Sequence, residues 1–523
     1  MYSCPGCGSQ MTFDIAGQQL KCGRCERTMS IIEADELEAR QAGSSFSADV
    51  LSCPTCGAQI HAVNAAAAAF CSYCGSSVML EQKKKTEVEA PEKVAPFQIT
   101  REQCFEKYQD MLKHSFCVDH TLKRDIKPES FRGIYVPYHT YNAWVKGTVE
   151  LEGNETKGNT TYYYKTEVEL NHQYEGILHD ASKEMPDELS EKISHVEQKD
   201  FMPFSPAYLS GFYADVADTS PNAYIPYARS EAVRKGLEDT MADLNDGLTY
   251  QPTASQKQLL KLAKAEYTGD TLVPVWFMSM KSKGRVLYAV QNGVTGDMWA
   301  DRPLDIPRFA LVTAVLAVLL FVIFNMFLTL RPEMAMVVAM LLAVGAQFAV
   351  NGRRRTVFNR ENRKEAAGKK VDDILEQVKQ TTKLAKKAEN GSMYATLGSL
   401  GVIGAGVALA VGMYLMSSIG NIKVYKIAAL VLTAAMAAVT LGSGKKRSSL
   451  PWGSIAALIA MAIGCVLLIL DPFHSDDRAY YLVTVGIMAA VIWECIDLLR
   501  VYNRSCSNPL PQFTSHTGGE DLA

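Results

Sequence analysis

The sequence lacks the motifs that identify nucleotide-driven motors and common hydrolases. A phosphate-binding loop has the pattern Gly-x-x-x-x-Gly-Lys-Ser/Thr. The nearest match ends at Gly444-Lys445, but Val439 stands at its first glycine position and Lys446 replaces the hydroxyl residue. The chain also contains no nucleophile elbow and no metalloprotease histidine pair. These absences argue against a motor or a hydrolase and predict a protein that is not an enzyme.

The chain also has little charge imbalance. It contains 53 Lys and Arg residues against 56 Asp and Glu, for a net charge of −3, and its mean hydropathy lies near zero. Both values average a polar half and an apolar half, so neither indicates a partner. Residues 1–29 contain only three basic residues and 51–80 contain none. Non-specific nucleic-acid binding needs a basic footprint, so these segments are better suited to binding protein.

Cysteine is distributed in a regular pattern. Eight of the thirteen cysteines form paired CxxC motifs, and each cysteine of the first set recurs 49 positions later. In each set fourteen residues separate the two CxxC motifs. The eight residues are Cys4, Cys7, Cys22 and Cys25, followed by Cys53, Cys56, Cys71 and Cys74. This spacing predicts two duplicated zinc ribbons, each with four thiolates that close a tetrahedral metal site.

Two structural Zn²⁺ ions are the expected cofactors, and a closed four-cysteine set leaves no open position for catalysis. Iron in a rubredoxin-like site is the alternative, because both metals accept four sulfur ligands in a tetrahedron. Disulfides would require an oxidising compartment. The position of Cys4 leaves no room for a signal peptide, so we expect reduced cysteines.

The second half of the chain is apolar and predicts an all-α polytopic membrane region of about six helices. A bilayer span needs roughly 20 apolar residues. Six segments approach this length, and the fourth is the shortest: 309–330, 334–350, 397–417, 427–441, 452–470 and 479–499. The loop 351–392 holds twelve Lys and Arg residues, and further basic residues precede the fifth span and follow the sixth. Positive loops face the cytoplasm, so we expect both termini inside a bacterial inner membrane.

Between the ribbons and the membrane region, the patterns predict an α+β domain of about 200 residues. Strands are expected over 134–151 and 160–170, a closing hairpin over 272–280 and 285–291, and helices near 104–112, 186–198, 230–244 and 255–267. The complete predicted division is ribbon 1 (1–30), linker (31–50), ribbon 2 (51–80), charged linker (81–96), α+β domain (97–305), transmembrane hairpin 1 (306–351), basic cytoplasmic loop or helix (352–392), transmembrane hairpin 2 (393–443), transmembrane hairpin 3 (444–502) and disordered tail (503–523).

Four features in order carry a resemblance to a known family. They are the CPxCG ribbon motif, the Ile-Tyr-Val-Pro-Tyr run at 134–138, the Tyr-Leu-Ser-Gly-Phe-Tyr segment at 208–213, and Trp276 followed by Asn-Gly-Val-Thr-Gly at 292–296. Over roughly residues 1–300 the chain resembles bacterial TFIIB-type (CPxCG) zinc-ribbon membrane proteins found beside phage-shock A-like and SPFH-type proteins. The resemblance implies a membrane anchor that recruits a phage-shock A-like coat protein in envelope stress. Related chains are sometimes labelled primosomal or replication helicases, a label that the absent phosphate-binding loop does not support.

The expected function is therefore a zinc-binding multi-pass membrane adaptor that docks a cytosolic partner. One alternative is a small-solute transporter or channel with regulatory ribbons, for which Glu494, Asn325 and Gln347 form a possible intramembrane polar site. A membrane-tethered nucleic-acid-binding protein is a further alternative. Gly404, Ala408 and Gly412 lie at helical spacing in the third span and allow close helix packing, which suits a compact bundle or a homo-oligomer.

Overall fold

The computed structural model of the chain describes residues 2–38, 45–62, 71, 73–74, 81–157, 160–182, 185, 187–244, 249–282, 284–327, 332–361, 422–444, 452–470, 477–509 and 511. The predicted third span at 397–417 and most of the basic loop at 352–392 lie outside these residues.

The first cysteine segment forms a small antiparallel sheet followed by a helix. Its elements are β1 (Met11–Asp14), β2 (Gln19–Cys22), β3 (Thr28–Met29) and α1 (Ile31–Glu38). Ser30 caps α1, because its hydroxyl accepts from the Glu33 N–H and the Glu33 carboxylate accepts from the Ser30 N–H. We keep the name ribbon 1 for residues 2–38.

The second cysteine segment has three longer strands: β4 (Ser45–Ser52), β5 (Gln59–Ala62) and β6 (Glu81–Glu89). Strand β4 pairs antiparallel with both β5 and β6. The prediction of a charged linker over 81–96 was therefore wrong for 81–89. Strand β6 is the edge of its sheet, and an edge strand needs no apolar alternation, so its charged sequence concealed it.

The α+β domain follows. Its elements are β7 (Lys93–Val94), α2 (Arg101–Lys113), α3 (His120–Arg124), β8 (Arg132–Lys157), β9 (Thr160–Asp180), α4 (Asp187–Ile193), β10 (Met202–Pro203), β11 (Tyr213–Ala214), α5 (Ile225–Leu244), β12 (Thr249–Pro252), α6 (Gln256–Lys261), β13 (Ala263–Ser282), β14 (Arg285–Asn292) and β15 (Met298–Ala300).

The long strand β8 organises this domain. It pairs antiparallel with β9 over Tyr138–Lys157 and with β13 over Arg132–Val145, while β13 pairs with β14 in the predicted closing hairpin. The helix expected over 255–267 ends at Lys261, because the residues from Ala263 join β13 and pair with β8. The helix expected over 186–198 is also shorter than predicted.

Both faces of this sheet are buried. Along β13, Val273, Val275 and Phe277 point to one face, and Leu272, Trp276 and Met278 point to the other, with the period of two that a strand requires. Helix α2 covers the second face through Tyr108 and Leu112. The first face is covered by residues of the second cysteine segment. The prediction of a separate ribbon 2 therefore needs correction: the structure joins it to the domain core.

The C-terminal helices are α7 (Ile306–Phe327), α8 (Pro332–Glu361), α9 (Ile422–Gly444), α10 (Trp452–Leu470) and α11 (Asp477–Ser505). We call them the helical region. Three stretches are long and apolar enough to cross a membrane: Pro332–Arg354, Trp452–Leu470 and Asp477–Ser505. Ile306–Leu319 and Lys426–Ala438 are shorter apolar stretches. The described residues thus supply three candidate spans, fewer than the six predicted.

The prediction of a disordered tail over 503–523 was wrong for the first residues of that segment. Helix α11 continues to Ser505, and Asn508 forms a backbone bridge with Val286 of β14 in both directions, at 3.0 and 2.8 Å. The last helix therefore ends against the α+β domain.

Candidate functional sites

The four cysteines of ribbon 1 converge on one point. The Sγ atoms of Cys4 and Cys25, of Cys7 and Cys22, and of Cys7 and Cys25 all lie 3.5 Å apart. The first CxxC turn is closed by a bond from the Gly8 N–H to the Cys4 carbonyl at 2.9 Å. Gly8 has a φ of 70°, a conformation that glycine adopts without strain.

The second four-cysteine group has the same construction. The Gly57 N–H donates to the Cys53 carbonyl at 2.8 Å, and Gly57 has a φ of 82°. The Sγ atoms of Cys53 and Cys74 lie 3.8 Å apart, as do those of Cys56 and Cys71. Within each group the four sulfur atoms lie within 4.8 Å of one another.

These distances fit a tetrahedral metal. Zn–S bonds of about 2.3 Å place neighbouring sulfurs about 3.8 Å apart in a tetrahedron. Cys53, Cys56, Cys71 and Cys74 match this spacing, and the ribbon 1 sulfurs are slightly closer. Two four-cysteine metal sites are therefore compatible with the geometry. The donor set would hold each ion without an open coordination position, so an ion there would hold chain segments together and would not bind substrate.

Backbone N–H groups lower the pKa of the cysteine thiols, and neighbouring sulfur atoms raise it. The Ser9 backbone N–H, which is the largest contribution, lowers the pKa of Cys7 to about 6. The neighbouring Cys56 side chain, followed by Cys74 and by burial, raises the pKa of Cys71. Four adjacent thiolates repel one another, and a bound cation removes that repulsion.

The two centres differ in exposure. In ribbon 1, Cys25 is exposed and Cys7 is half-buried. All four cysteines of the second centre are buried, and they belong to the same apolar cluster as Val136 and Val275 of the central sheet. The second centre is thus part of the domain core, whereas ribbon 1 lies at its surface.

Ribbon 1 is nevertheless attached to the domain. The Phe13 N–H donates to the Ser210 carbonyl at 2.9 Å, and the Gln18 side-chain amide donates to the Phe97 carbonyl at 2.7 Å. The Ser205 hydroxyl donates to the Asp35 carboxylate at 2.6 Å. These bonds fix the orientation of ribbon 1 on the domain.

A buried carboxylate joins the second centre to the domain. Asp215 accepts hydrogen bonds from the Tyr73 hydroxyl at 3.0 Å, from the Ser182 hydroxyl and from the Val216 N–H at 2.8 Å. Burial raises the pKa of Asp215 to about 6, and the three donors oppose this effect only partly. Sequence reasoning missed Asp215, because Tyr73 and Asp215 are 142 positions apart and neither belongs to a motif.

A buried histidine was also missed. The His139 Nδ1 lies 2.6 Å from the Asp270 carboxylate, and its Nε2 lies 3.0 Å from the Thr219 hydroxyl. Hydroxyl, imidazole and carboxylate in this order resemble a nucleophile with its base. The His139 side chain, however, is only 1% exposed, and Nε2 also lies 3.2 Å from the Thr219 carbonyl. The ring therefore has no surface for a substrate, and it ties β8 to β13 and to the segment before Pro221.

The structure does not support a metal site at His114, Cys117 and His120, which the sequence places three residues apart on one possible helix. Helix α2 ends at Lys113, Cys117 has a φ of 49°, and α3 begins at His120. Among the described residues, the only groups of three or more candidate ligands are the two four-cysteine sets.

Two residues of the predicted intramembrane polar site lie together. Gln347 of α8 and Glu494 of α11 are both buried, and both lie close to the start of α10. The Ser454 hydroxyl donates to the Gln347 side chain, and a Cβ added at the adjacent Gly453 would lie 3.4 Å from the Glu494 Cγ. The side chain of Asn325 lies outside the described residues. We call Gln347, Ser454 and Glu494 the polar cluster. Sequence reasoning missed Ser454, because a single serine in an apolar helix gives no signal.

Comparison with known proteins finds a similarity to an uncharacterised protein. The uncharacterised protein YdjG of Bacillus subtilis (strain 168) is 24% identical over 318 residues, which are 58% of this chain and 90% of that relative. No protein-family model matches the chain, and no solved structure matches it. Because the relative is itself uncharacterised, the similarity adds no activity, ligand or partner.

Proposed function

We propose that the chain is a zinc-binding multi-pass membrane adaptor that holds a rigid cytosolic module at the membrane and docks a protein partner there. Zn²⁺ is the proposed metal at both four-cysteine centres, because four thiolates at this spacing suit it. The helical region is the proposed anchor in a bacterial inner membrane, with the domain and both termini on the cytoplasmic side.

The observation that carries the proposal is the direct attachment of the domain to the last helix. The Arg285 guanidinium donates to the Ser507 hydroxyl at 2.7 Å and to the Ser507 carbonyl at 2.7 Å. Asn508 bridges to Val286, as described above. A transport protein can carry a soluble domain on a loose linker, whereas an adaptor gains from a fixed distance between its docking surface and the bilayer.

The hairpin of β8 and β9 supplies a docking surface. Its outer end carries three consecutive exposed tyrosines, and Tyr163 is 69% exposed. We call Tyr162, Tyr163 and Tyr164 the tyrosine tip. Tyrosine is enriched at protein interfaces, because it contributes a large rigid ring and a polar hydroxyl at a low cost in conformational entropy. Gly153 lies opposite Tyr164 in the hairpin register, and Tyr250 packs against it.

The proposed partner is a phage-shock A-like or SPFH-type protein, on the basis of the resemblance described for residues 1–300. Recruitment of such a protein to the membrane would suit a role in envelope stress. The proposal includes no catalytic step.

Binding of the purified full-length protein in nanodiscs to a purified phage-shock A-like or SPFH-type protein from the same organism tests this function. We expect the double variant Tyr162→Ser/Tyr163→Ser to weaken binding by at least about tenfold, as loss of aromatic anchors does. Ile32→Ser, which changes an exposed residue of ribbon 1, is the matched control.

Loss of binding in Ile32→Ser alone would move the docking surface to ribbon 1. Absence of binding by the unchanged protein to either class of partner would reject the proposed partners. Retained metal content in both variants, two ions per chain, would show that the second centre and the fold are intact.

A second candidate function, a small-solute transporter or channel, is favoured by one observation. The polar cluster places a buried acid among three helices of the helical region.

A further inference from the structure

The carboxyl group of Glu494 is buried without a partner. Glu494 is 2% exposed, and neither carboxylate oxygen forms a direct hydrogen bond among the described residues; the Ser454 hydroxyl lies near it but donates to Gln347. Helices α10 and α11 approach each other closely beside Glu494. A Cβ added at Gly453 of α10 would lie 2.6 Å from the Trp493 ring and 3.4 Å from the Glu494 Cγ, so a glycine is needed there.

Helix α8 carries two uncommitted amide donors one helical turn apart, on the same face of the helix. The Gln347 Nε2 and the Asn351 Nδ2 of α8 are buried and have no hydrogen-bond partner among the described residues. The Gln347 Oε1 accepts the hydrogen bond of the Ser454 hydroxyl. The polar cluster therefore combines one carboxyl group with an amide and a hydroxyl, and Asn351 adds a second amide one turn further along α8.

The charged groups on the surrounding helices are committed elsewhere. Arg354 of α8 pairs with Asp497 of α11, and Arg353 lies over the Tyr502 ring. Lys426 of α9 donates to the Ile469 carbonyl, at the opposite end of α10 from Ser454. Arg308 of α7 pairs with Asp305, and α10 contains no charged residue. No described cation therefore neutralises Glu494.

We propose that the polar cluster is a proton-binding site, in which Glu494 takes up a proton as a neutral acid and releases it to become a carboxylate. An ionised carboxylate in an apolar interior is strongly disfavoured without a partner, so the buried geometry suits the protonated form. After proton release, small side-chain rotations allow the Gln347 and Asn351 amides to donate to the carboxylate. The proton is the only species transferred, and no bond between heavy atoms changes.

Glu494 lies closer to the domain end of α11 than to its start. Glu494 precedes Asn503 by nine residues of α11, a rise of about 14 Å along the helix, and Asn503 already contacts the domain. The site thus lies near the end of the helical region that faces the domain. This inference goes beyond adaptor function and does not depend on it.

Labelling by dicyclohexylcarbodiimide, which reacts with protonated carboxyl groups in apolar surroundings, tests the proposal on the full-length protein in liposomes. We expect peptide mass spectrometry to find the adduct on Glu494, and the yield to fall about tenfold as the pH rises from about 5 to about 9. Glu494→Gln should abolish the adduct. Asp497→Asn, one turn away and already paired with Arg354, should leave labelling of Glu494 in place.

Infrared spectroscopy detects the protonated carboxyl group directly, without a labelling reagent. The infrared difference spectrum of the same liposomes between the two pH values should contain a carboxylic-acid C=O band that is absent from Glu494→Gln. A constant labelling yield over this range, or no Glu494 adduct in a folded protein, would overturn the proposal. An infrared difference spectrum that Glu494→Gln leaves unchanged would also overturn it, whereas the band of Asp215, whose pKa is about 6, should persist in both proteins.

Discussion

Asn503 near the end of α11 forms two hydrogen bonds with the backbone of Leu304, just before α7 begins. The Leu304 N–H donates to the Asn503 Oδ1 at 2.8 Å, and the Asn503 Nδ2 donates to the Leu304 carbonyl at 2.8 Å. One side chain thereby joins the last helix of the chain to the connection between the domain and the first helix. The pair fixes the domain relative to the helical region.

Replacement of Asn503 should loosen this junction. Asn503→Ala removes both bonds and leaves the Leu304 N–H without its acceptor, at a cost of about 1–3 kcal/mol. We expect a lower thermal unfolding midpoint for the solubilised full-length protein and easier proteolysis around residue 304. Arg500→Ala, an exposed position three residues earlier, is the control and should change neither. An equal loss in both variants would contradict the role of Asn503.

The two metal centres should release metal at different rates. We expect two ions per chain by elemental analysis, with one removed first by a chelator, because Cys25 of ribbon 1 is exposed and the second centre is buried. Cys25→Ser should cost one ion and leave the domain folded. Cys53→Ser should unfold the domain, because its thiol lies in the domain core. Simultaneous release of both ions from the unchanged protein would contradict this expectation.

Asp215 should make stability depend on pH. Its folded pKa of about 6 is above the value of about 3.9 for an unfolded chain. The folded state therefore binds the proton of the Asp215 carboxyl group more tightly than the unfolded state does. The stabilisation from this proton is complete below about pH 4 and is lost as the pH rises through about 6. The full loss amounts to about 3 kcal/mol.

Asp215→Asn should remove this dependence. The test compares the unfolding midpoints of the two proteins from about pH 4 to about pH 8. The midpoint of the variant should rise relative to that of the unchanged protein as the pH rises, and the difference should then level off. Loss of metal at low pH affects both proteins and cancels in the difference. A constant difference across this range would show that Asp215 titrates as in an unfolded chain.

Gly293 should not tolerate a side chain. A Cβ at this position would lie 2.5 Å from the Phe97 ring and 3.0 Å from the Pro274 carbonyl oxygen. Phe97 is itself packed against Phe212 and Trp276, so it cannot move freely. Gly293→Ala should destabilise the domain by about 1–3 kcal/mol in thermal or denaturant unfolding. Gly23→Ala, where no atom lies within 4 Å, is the matched control and should be neutral.

Local sequence patterns predicted those features that depend on neighbouring residues. The closing hairpin of β13 and β14 and the start of β8 follow from alternating apolar residues and turn glycines. The same reasoning gave wrong results for β6 and for residues 263–267. Strand β6 is a charged edge, and Ala263–Tyr267 belong to a strand only because β8 lies beside them.

By itself, the sequence determined the two sets of four cysteines, with a spacing suited to a metal ion, and the apolar character of the C-terminal helices, because spacing and composition are local properties. Tertiary structure alone decided that the second cysteine set lies in the domain core and that Asp215 contacts Tyr73. It also decided that Gln347, Ser454 and Glu494 of three different helices meet. These contacts join residues far apart in the chain, and their energies depend on burial, which no local pattern encodes.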